Sequence, residues 1–529
     1  MSPRHGSRGP GAVAHAMVVV FASSATAIGA GFLKSVLAAY YFGTSGAMDA
    51  YLVALLLPDM AMQLARTGAF NFIPLFAAEH QRSEEEAWQA AGKLLTYWLI
   101  VLLGTLTLAY LLSPAAMSLL APGFTSERRV QALGLTHVLL FMAASLGAGR
   151  ILCVVLHAER RFLMAGLSEV AFQVGSTGFL VLFHWMGIEA LAWAQVLGGL
   201  IQFLVAALAL LGRRRRLAAS LDLRSPPVRK LIRLSLPVYL GDSGDKINLM
   251  VTRAFGSFLP GGAVSALQYA YAPVEAVQRV LVGPFTIALF PFLSRRFAES
   301  DHRSARASLG GAVVAAAVAF LPLTAVVWLL ADPLLAVLFQ RGSFDESSTR
   351  LSAAALRLFA PSVFALALNE LLGSSFHARQ DTLTPMRAGF ARLACNTVLC
   401  AALAPTLGHR GIALATTLSL YFKLILLAWP LREVFTAAEM RRHLRTLGRV
   451  LLAVLAMVVV AYPLCVYGSA PRVLEGHAVP VLAALGLLCL GAYSVALRLF
   501  ARRQFLLLLA LGRRTVLRPL TLAAVGRPA

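Results

Sequence analysis

Apolar runs of about 20 residues recur from one end of this 529-residue sequence to the other. That is the length an α-helix needs to cross the hydrocarbon core of a bilayer. Hydrophobic residues make up 59% of the chain and charged residues only 13%, whereas soluble domains carry about 25% charged residues. No polar linkers of the kind that separate soluble domains interrupt the runs. The pattern predicts an all-α integral membrane protein that crosses the bilayer many times.

The apolar runs predict about fourteen transmembrane helices. We place them near residues 13–41, 49–79, 93–112, 132–157, 162–184, 188–211, 231–255, 264–294, 308–338, 351–376, 384–405, 410–431, 445–468 and 478–500. The segment 213–230 is a basic linker between the sixth and seventh helices. The segment 501–529 alternates arginine pairs with a leucine-rich run that is too short to span, so we expect a basic tail at the membrane interface.

The net charge of +23 would suggest a nucleic-acid partner in a soluble protein. Here the short loops between apolar runs fall alternately on the two sides of the membrane, and the loops of one side carry most of the arginines, including the run Arg213–Arg216. The positive-inside rule explains this distribution better than nucleic-acid binding does. It predicts that both termini are cytoplasmic, which agrees with an even number of helices. We expect no nucleic-acid partner.

Four short motifs recur in the same order in the two halves of the chain. The paired segments are 42–43 with 255–256, 120–124 with 340–344, 156–160 with 376–380, and 187–188 with 411–412. Each half holds six predicted helices, an even number, so both halves insert the same way up as a parallel repeat. We therefore predict an N-lobe over 13–212 and a C-lobe over 231–432, the arrangement that alternating access requires. Duplication without transport is the alternative.

Ionisable side chains at membrane depth are costly and usually functional. The densest set lies in the predicted seventh helix: Asp242, Asp245, Lys246, Asn248 and Arg253. Helical spacing places most of them on one face, which must line a cavity or pair with another helix. A substrate- or ion-binding face and an internally neutralised structural network are equally compatible with this spacing. Asn396 in the eleventh helix is a further candidate for coordinating a cation.

Several motifs stand together in a fixed order along the chain. They are Gly31-Phe32 with Lys34, Asp49–Tyr51, Pro58-Asp59, Gly68–Phe70, Ala121–Phe124, Tyr269-Ala270, Glu275, Leu338–Phe344 and Arg379–Pro385. With these motifs the sequence resembles the MurJ (MviN) family of lipid II flippases, in the MOP exporter superfamily, over roughly residues 13–500. The resemblance implies two six-helix lobes around a cavity open to one side at a time. It also implies that the last two helices, within 445–500, form a groove for a polyprenyl tail.

The same resemblance implies a substrate, a compartment and partners. The substrate is a polyprenyl-pyrophosphate-linked saccharide, moved from the inner to the outer leaflet of the bacterial inner membrane. Its partners are this glycolipid, membrane lipids and the cell-wall synthesis machinery. The candidate substrate-binding residues are Lys34, Asp49, Asp59, Gln63, Arg66, Lys246, Arg253, Glu275 and Arg279. Lys34 is the leading candidate for contact with an anion.

The chain departs from the family at several cavity positions where an arginine or another basic residue is usual. Ile28, Met62, Gln63 and Glu370 occupy such positions. An arginine fork binds phosphate through two hydrogen bonds, whereas lysine acts as a point charge. The alternatives are therefore an exporter of another lipid-linked glycan or of a cation-coupled small molecule, and a transport-inactive membrane scaffold.

The sequence shows no motif of an enzyme. It lacks the G-x-x-x-x-G-K-[ST] phosphate loop and the H-E-x-x-H metal motif. Its five cysteines lie in apolar segments without metal-ligand spacing, so we interpret them as small core residues. We expect a transporter without a cofactor. Its energy would come from the membrane potential, from the gradient of a coupling monovalent cation, or from substrate concentration.

Overall fold

The computed structural model describes residues 10–63, 76, 83–159, 161–211, 226–298, 302–431, 436–468 and 478–506. All regular secondary structure over these ranges is helical. The helices fall into two compact units. The first contains the chain up to Ser265 together with Arg341–Asp345, and the second contains Ala266–Gln340 and the chain from Glu346 onward.

Apart from the short helical segment 56–63, seven α-helices of the first unit lie in the described ranges. They are α1 (Pro10–Phe42), α2 (Gly46–Ala54), α3 (Glu84–Leu120), α4 (Ser126–Ala158), α5 (Phe162–Phe183), α6 (Ile188–Leu210) and α7 (Pro226–Gly256). Glycines allow close packing of α6 against α4 and α5, as is usual between membrane helices. A Cβ atom on Gly149 would lie 3.0 Å from the backbone nitrogen of Phe203, and one on Gly198 would lie 2.7 Å from the carbonyl oxygen of Phe172.

The second unit is built from the remaining helices. They are α8 (Ala263–Val277, whose first residues lie in the first unit), a π-helical turn (Gln278–Val282), α9 (Gly283–Ala298), α10 (His302–Leu329), α11 (Ala331–Phe339), α12 (Glu346–Phe359), α13 (Ser362–Ala378), α14 (Leu383–Leu407), α15 (His409–Leu431), α16 (Ala437–Gly468) and α17 (Ala478–Phe500). The two last helices pack on each other and on α10. Tyr493 in α17 donates a hydrogen bond to the carbonyl oxygen of Val318, at 2.9 Å.

The all-α membrane fold predicted from the sequence is confirmed. Eleven helices in the described ranges are long and apolar enough to cross a membrane, or twelve if α12 and α13, which are bent by 42°, form one span. This is roughly the predicted fourteen. α7 does not reach the same hydropathy because charged residues interrupt it, although its 31 residues extend over about 46 Å.

Three predicted helices are broken rather than continuous. The predicted helix 49–79 stops at Ala54 and resumes over 56–63, because Pro58 has no N–H to donate to the carbonyl of Ala54. The hydroxyl of Thr136 lies 3.4 Å from that carbonyl oxygen, while its shorter hydrogen bond, at 2.8 Å, goes to the carbonyl oxygen of Ala132. The predicted ninth and tenth helices break in the same way, before Pro333 and at Pro361.

α7 lies where the sequence predicts a helix, and its residues fall in the first compact unit, where it packs against α3. The lobe boundaries at 212 and 231, the groove within 445–500 and the interfacial tail stay predictions. The linker 213–230 is described only from residue 226 and the tail only to residue 506.

Candidate functional site

Lys34 lies within the bundle formed by α1, α5 and α6. Its ammonium donates hydrogen bonds to Ser176 Oγ at 3.2 Å and to Gln195 Oε1 at 3.0 Å. It also lies 4.7 Å from the centroid of the Phe172 ring, a cation–π distance. An ammonium has three N–H donors, and these three neutral groups account for them.

The Lys34 contacts extend to α2 through a side-chain amide. Gln195 donates from Nε2 to the hydroxyl of Tyr51, at 3.1 Å. Tyr51 is buried, with 3% of its surface exposed. The first unit therefore holds a polar layer that joins α1, α6 and α2. Gln195, Ser176 and Tyr51 were not predicted as site residues; the one sequence signal was a glutamine inside an otherwise apolar run.

Two cations of α7 contact the predicted second helix. Lys246 Nζ lies 2.9 Å from Asp59 Oδ2, and the two side chains are 27% and 41% exposed. The Arg253 guanidinium, which is buried, donates to the carbonyl oxygen of Leu52. Seven residues separate the two cations and seven separate their partners. The contacts lie two helical turns apart along α7 and on either side of the break at Leu55, so they form two rungs between antiparallel segments.

Asp49 has a capping role in the first unit. Its carboxylate accepts hydrogen bonds from the backbone N–H groups of Gly262 and Ser265, both at 2.7 Å. Those N–H groups lie at the start of α8, where a helix leaves its first donors without internal partners. Asp49 is 2% exposed. Its two carboxylate oxygens are therefore engaged by the backbone.

Other predicted residues of the first unit lie close to these contacts in sequence. Gln63 and Asn248 are buried, and Asp245 is exposed. Asn248 Oδ1 is a buried oxygen with no hydrogen-bond partner among the described atoms. Arg66 and the side chain of Asp242 lie outside the described residues.

The second unit brings together a separate set of charged and polar groups. Glu275 and Arg279 pair with each other at 2.8 Å, one turn apart, with 39% and 64% of their side chains exposed. In the π-helical turn, Gln278 donates to Glu370 Oε1 at 2.8 Å. π-Helical turns are rare and often mark functional positions. Gln278 was not predicted from the sequence, whereas Glu370 was noted as a departure from the family.

Asn396 in α14 is fully buried. The thiol of Cys400 lies 3.8 Å from its Oδ1 atom, one helical turn away. Over the described residues, no group of three or more histidine, cysteine, aspartate or glutamate side chains is placed to hold a metal ion. A cation site at Asn396 stays a prediction.

Curated relatives of this chain are named as lipid II flippases. A probable lipid II flippase MurJ of Rhizobium tropici is 28% identical over 436 residues, which cover 78% of each chain. The lipid II flippase MurJ of Burkholderia cenocepacia is 25% identical over 426 residues, covering 76% of this chain and 80% of the relative.

Solved structures show the same fold. The lipid II flippase MurJ in an inward closed conformation superposes with a TM-score of 0.74 at 18% identity, covering 92% of this chain and 99% of that one. An inward-facing multidrug-resistance MATE transporter of the MOP superfamily matches with a TM-score of 0.63 at 16% identity, over 78% of this chain and 96% of that one. The helical architecture is thus shared by transporters with different substrates.

The family model described as lipid II flippase MurJ matches residues 38–470. This range includes the repeat motifs, both cation rungs of α7 and the Glu275–Arg279 pair. It covers well over half of the chain, and the resemblance inferred from the motifs is confirmed. The chain belongs to the MurJ family of lipid II flippases.

Proposed function

We propose that this protein is a flippase that moves lipid II, a polyprenyl-pyrophosphate-linked saccharide, from the inner to the outer leaflet. The observation that carries the proposal is the family match over residues 38–470. Alternating access of two parallel six-helix lobes is the mechanism we propose. The compartment is the bacterial inner membrane, with both termini cytoplasmic. The rival exporter and scaffold hypotheses have no comparable support.

The pyrophosphate is the part of the substrate whose passage across the membrane costs the most free energy, because charge is costly in hydrocarbon. We propose that the positive charges of Lys34, Arg66, Lys246, Arg253 and Arg279 together offset this cost, while Lys34 and Arg253 keep their own hydrogen-bond partners. The nearby Asp49, Asp59, Gln63 and Glu275 would hold these cations or neighbouring backbone in place. Asp242, Asp245, Asn248 and Asn396 would form the associated charge or ion network.

The membrane potential is a sufficient source of energy for this substrate. One elementary charge crossing 100 mV gains or loses about 2.3 kcal/mol. With the cytoplasm negative, outward movement of an anionic headgroup is favoured by that amount for each uncompensated charge. Coupling to a monovalent cation is the alternative, and cell-wall synthesis enzymes would act on the product.

Complementation tests the proposed function. We expect expression of this chain to sustain peptidoglycan synthesis in a bacterium depleted of its own lipid II flippase, while Lys246→Met does not. Arg350→Gln serves as the control, because Arg350 is an exposed cation paired with Glu346 at 3.3 Å, outside the proposed binding set. Failure of the wild-type chain, at normal membrane levels, would refute lipid II transport in favour of another cargo.

A further inference from the structure

We propose that the Lys246–Asp59 ion pair is an anion-exchange site, in which a phosphate group of the substrate replaces Asp59 as the partner of Lys246. Asp59 would pair with the Lys246 ammonium when no substrate is bound. The inference rests on the proposed function, because the phosphate that replaces Asp59 belongs to the lipid-linked substrate of that function.

The number of ammonium contacts separates Lys246 from Lys34. Lys34 has two hydrogen-bond acceptors and an aromatic face around its three donors. Among the side chains that the structure describes, Lys246 makes one contact, a single bond to one carboxylate oxygen of Asp59. A lysine ammonium can donate three hydrogen bonds. Lys246 therefore retains capacity for a phosphate oxygen before the bond to Asp59 breaks.

The exposure of Asp59 makes the exchange feasible. A carboxylate that loses its cation must be solvated, and leaving it buried would be strongly unfavourable. Asp59 is 41% exposed, and in the exchange that we propose it faces a water-filled cavity, the usual surroundings of a charged side chain at membrane depth. Asp49 provides the contrast, because it is 2% exposed and held by two backbone N–H groups. Of these two carboxylates, Asp59 is the one suited to release its partner.

The second rung explains how α7 keeps its place during the exchange. Arg253 is 8% exposed and donates to a backbone carbonyl, that of Leu52. A backbone carbonyl is not displaced by a side-chain movement. An anion arriving at Lys246 would therefore open one rung while the buried rung still joins α7 to α2.

Ligand binding in lipid nanodiscs tests the exchange. The probe is geranylgeranyl diphosphate, and the uncharged geranylgeraniol reports the contribution of the tail alone. We expect Asp59→Asn to tighten diphosphate binding by about fivefold, because an exposed ion pair no longer competes. Lys246→Met should weaken it by about tenfold or more, since it removes a charge-assisted contact. Neither variant should change geranylgeraniol binding.

The opposite signs of the two effects are the decisive result. If the pair were only a structural clamp, both variants would weaken binding together, and that outcome would overturn the proposal, as would no change in either. Glu346→Gln is the matched control for loss of an exposed, paired carboxylate. Thermal midpoints of the same samples identify any variant that has lost its fold. In that case, Lys246→Gln and Asp59→Ser remove the same two charges with other polar side chains and provide a second comparison.

The binding assay and the complementation assay fail independently. In one outcome, the two variants change diphosphate affinity in opposite directions, but the wild-type protein does not sustain growth. That result would support the exchange site and refute lipid II as the cargo. Wild-type protein that sustains growth, with variants that change binding in the same direction, would retain the function and refute the exchange.

Discussion

α1 and α7 occupy the same place in the two halves of the repeat, but their lysines have acquired different partners. Lys34 precedes Phe42 by eight residues, and Lys246 precedes Phe255 by nine. Among the described residues, Lys34 contacts neutral groups, whereas Lys246 contacts a carboxylate. The comparison teaches that lysines at nearly the same height in two repeated helices can differ in role. Neutral partners hold Lys34 in place, whereas the carboxylate partner of Lys246 is one that we propose a phosphate can replace.

The turns after these two helices have diverged in a complementary way. Asp49 follows Phe42 by seven residues, and Gly262 follows Phe255 by seven. The first half thus provides a carboxylate where the second provides a backbone N–H, and the two groups bond to each other at 2.7 Å. A duplicated position has become a donor on one side and an acceptor on the other.

Asp49→Ala should cause the largest loss of stability. Hydrogen bonds to charged groups contribute roughly 1.5–3 kcal/mol each, and the substitution leaves two N–H groups without their acceptor. We expect the free energy of unfolding to fall by about 3 kcal/mol, measured by reversible SDS titration in bicelles. Ser45→Ala is the control, because it removes a single cap bond to Met48 N at 3.2 Å and should cost about 1 kcal/mol. Equal effects would show that Asp49 is not the stronger cap.

Lys34→Met and Lys246→Met should separate a packing role from an exchangeable one. The first leaves Gln195 Oε1 without its donor inside the bundle, which should cost about 1–3 kcal/mol. The second leaves the Asp59 carboxylate without its cation, and because the exchange we propose places this partly exposed pair in a water-filled cavity, its loss should cost only about 0–1 kcal/mol, as for pairs in water. The same SDS titration should therefore rank the Lys34 variant as the less stable. The reverse order would contradict the proposed division of roles.

The number and order of the helices could be predicted because bilayer thickness fixes their length. The breaks were missed because a proline inside an apolar run hardly changes its hydropathy. Pro58, Pro333 and Pro361 were visible in the sequence, and each accompanies a break. A proline rule applied to each run would not have singled out these breaks, because Pro114, Pro322 and Pro463 lie inside continuous helices.

The candidate site was predicted as a set of residues, not as a set of contacts. Membrane depth identifies Lys34, Lys246 and Asp59 as unusual because charge there is costly. Their partners depend on helix packing: Lys34 reaches Gln195 across 161 residues, and Lys246 reaches Asp59 across 187. Helical periodicity places residues on one face of a helix, but it does not identify the neighbouring helix against which that face packs. The assignment of α7 to the first unit followed from no local pattern.

The turn before α14 differs from its counterpart before α5 in having a side-chain cap, and removing this cap should have the smallest effect on stability. Asp381 accepts hydrogen bonds from the Thr384 hydroxyl at 2.6 Å and from the Thr384 and Leu383 N–H groups at 3.0 and 3.1 Å. Arg161, its counterpart in the repeat, makes no side-chain cap at the start of α5. The Thr384 hydroxyl, followed by the Thr384 N–H, lowers the pKa of the Asp381 carboxyl. Asp381→Ala should cost about 1 kcal/mol or less, as for other exposed caps.

The pH dependence identifies the charged part of this cap. A carboxyl whose pKa is lower in the folded protein stabilises the fold above its unfolded pKa, and this contribution is lost as pH falls through the folded value. The stability difference between wild type and Asp381→Ala should therefore narrow as an SDS titration series is taken from pH 7 into the acidic range of carboxyl groups. Asp381→Asn keeps an acceptor without the charge, so its smaller deficit should narrow over the same range. A deficit that stayed constant with pH would assign the cap to hydrogen-bond geometry alone.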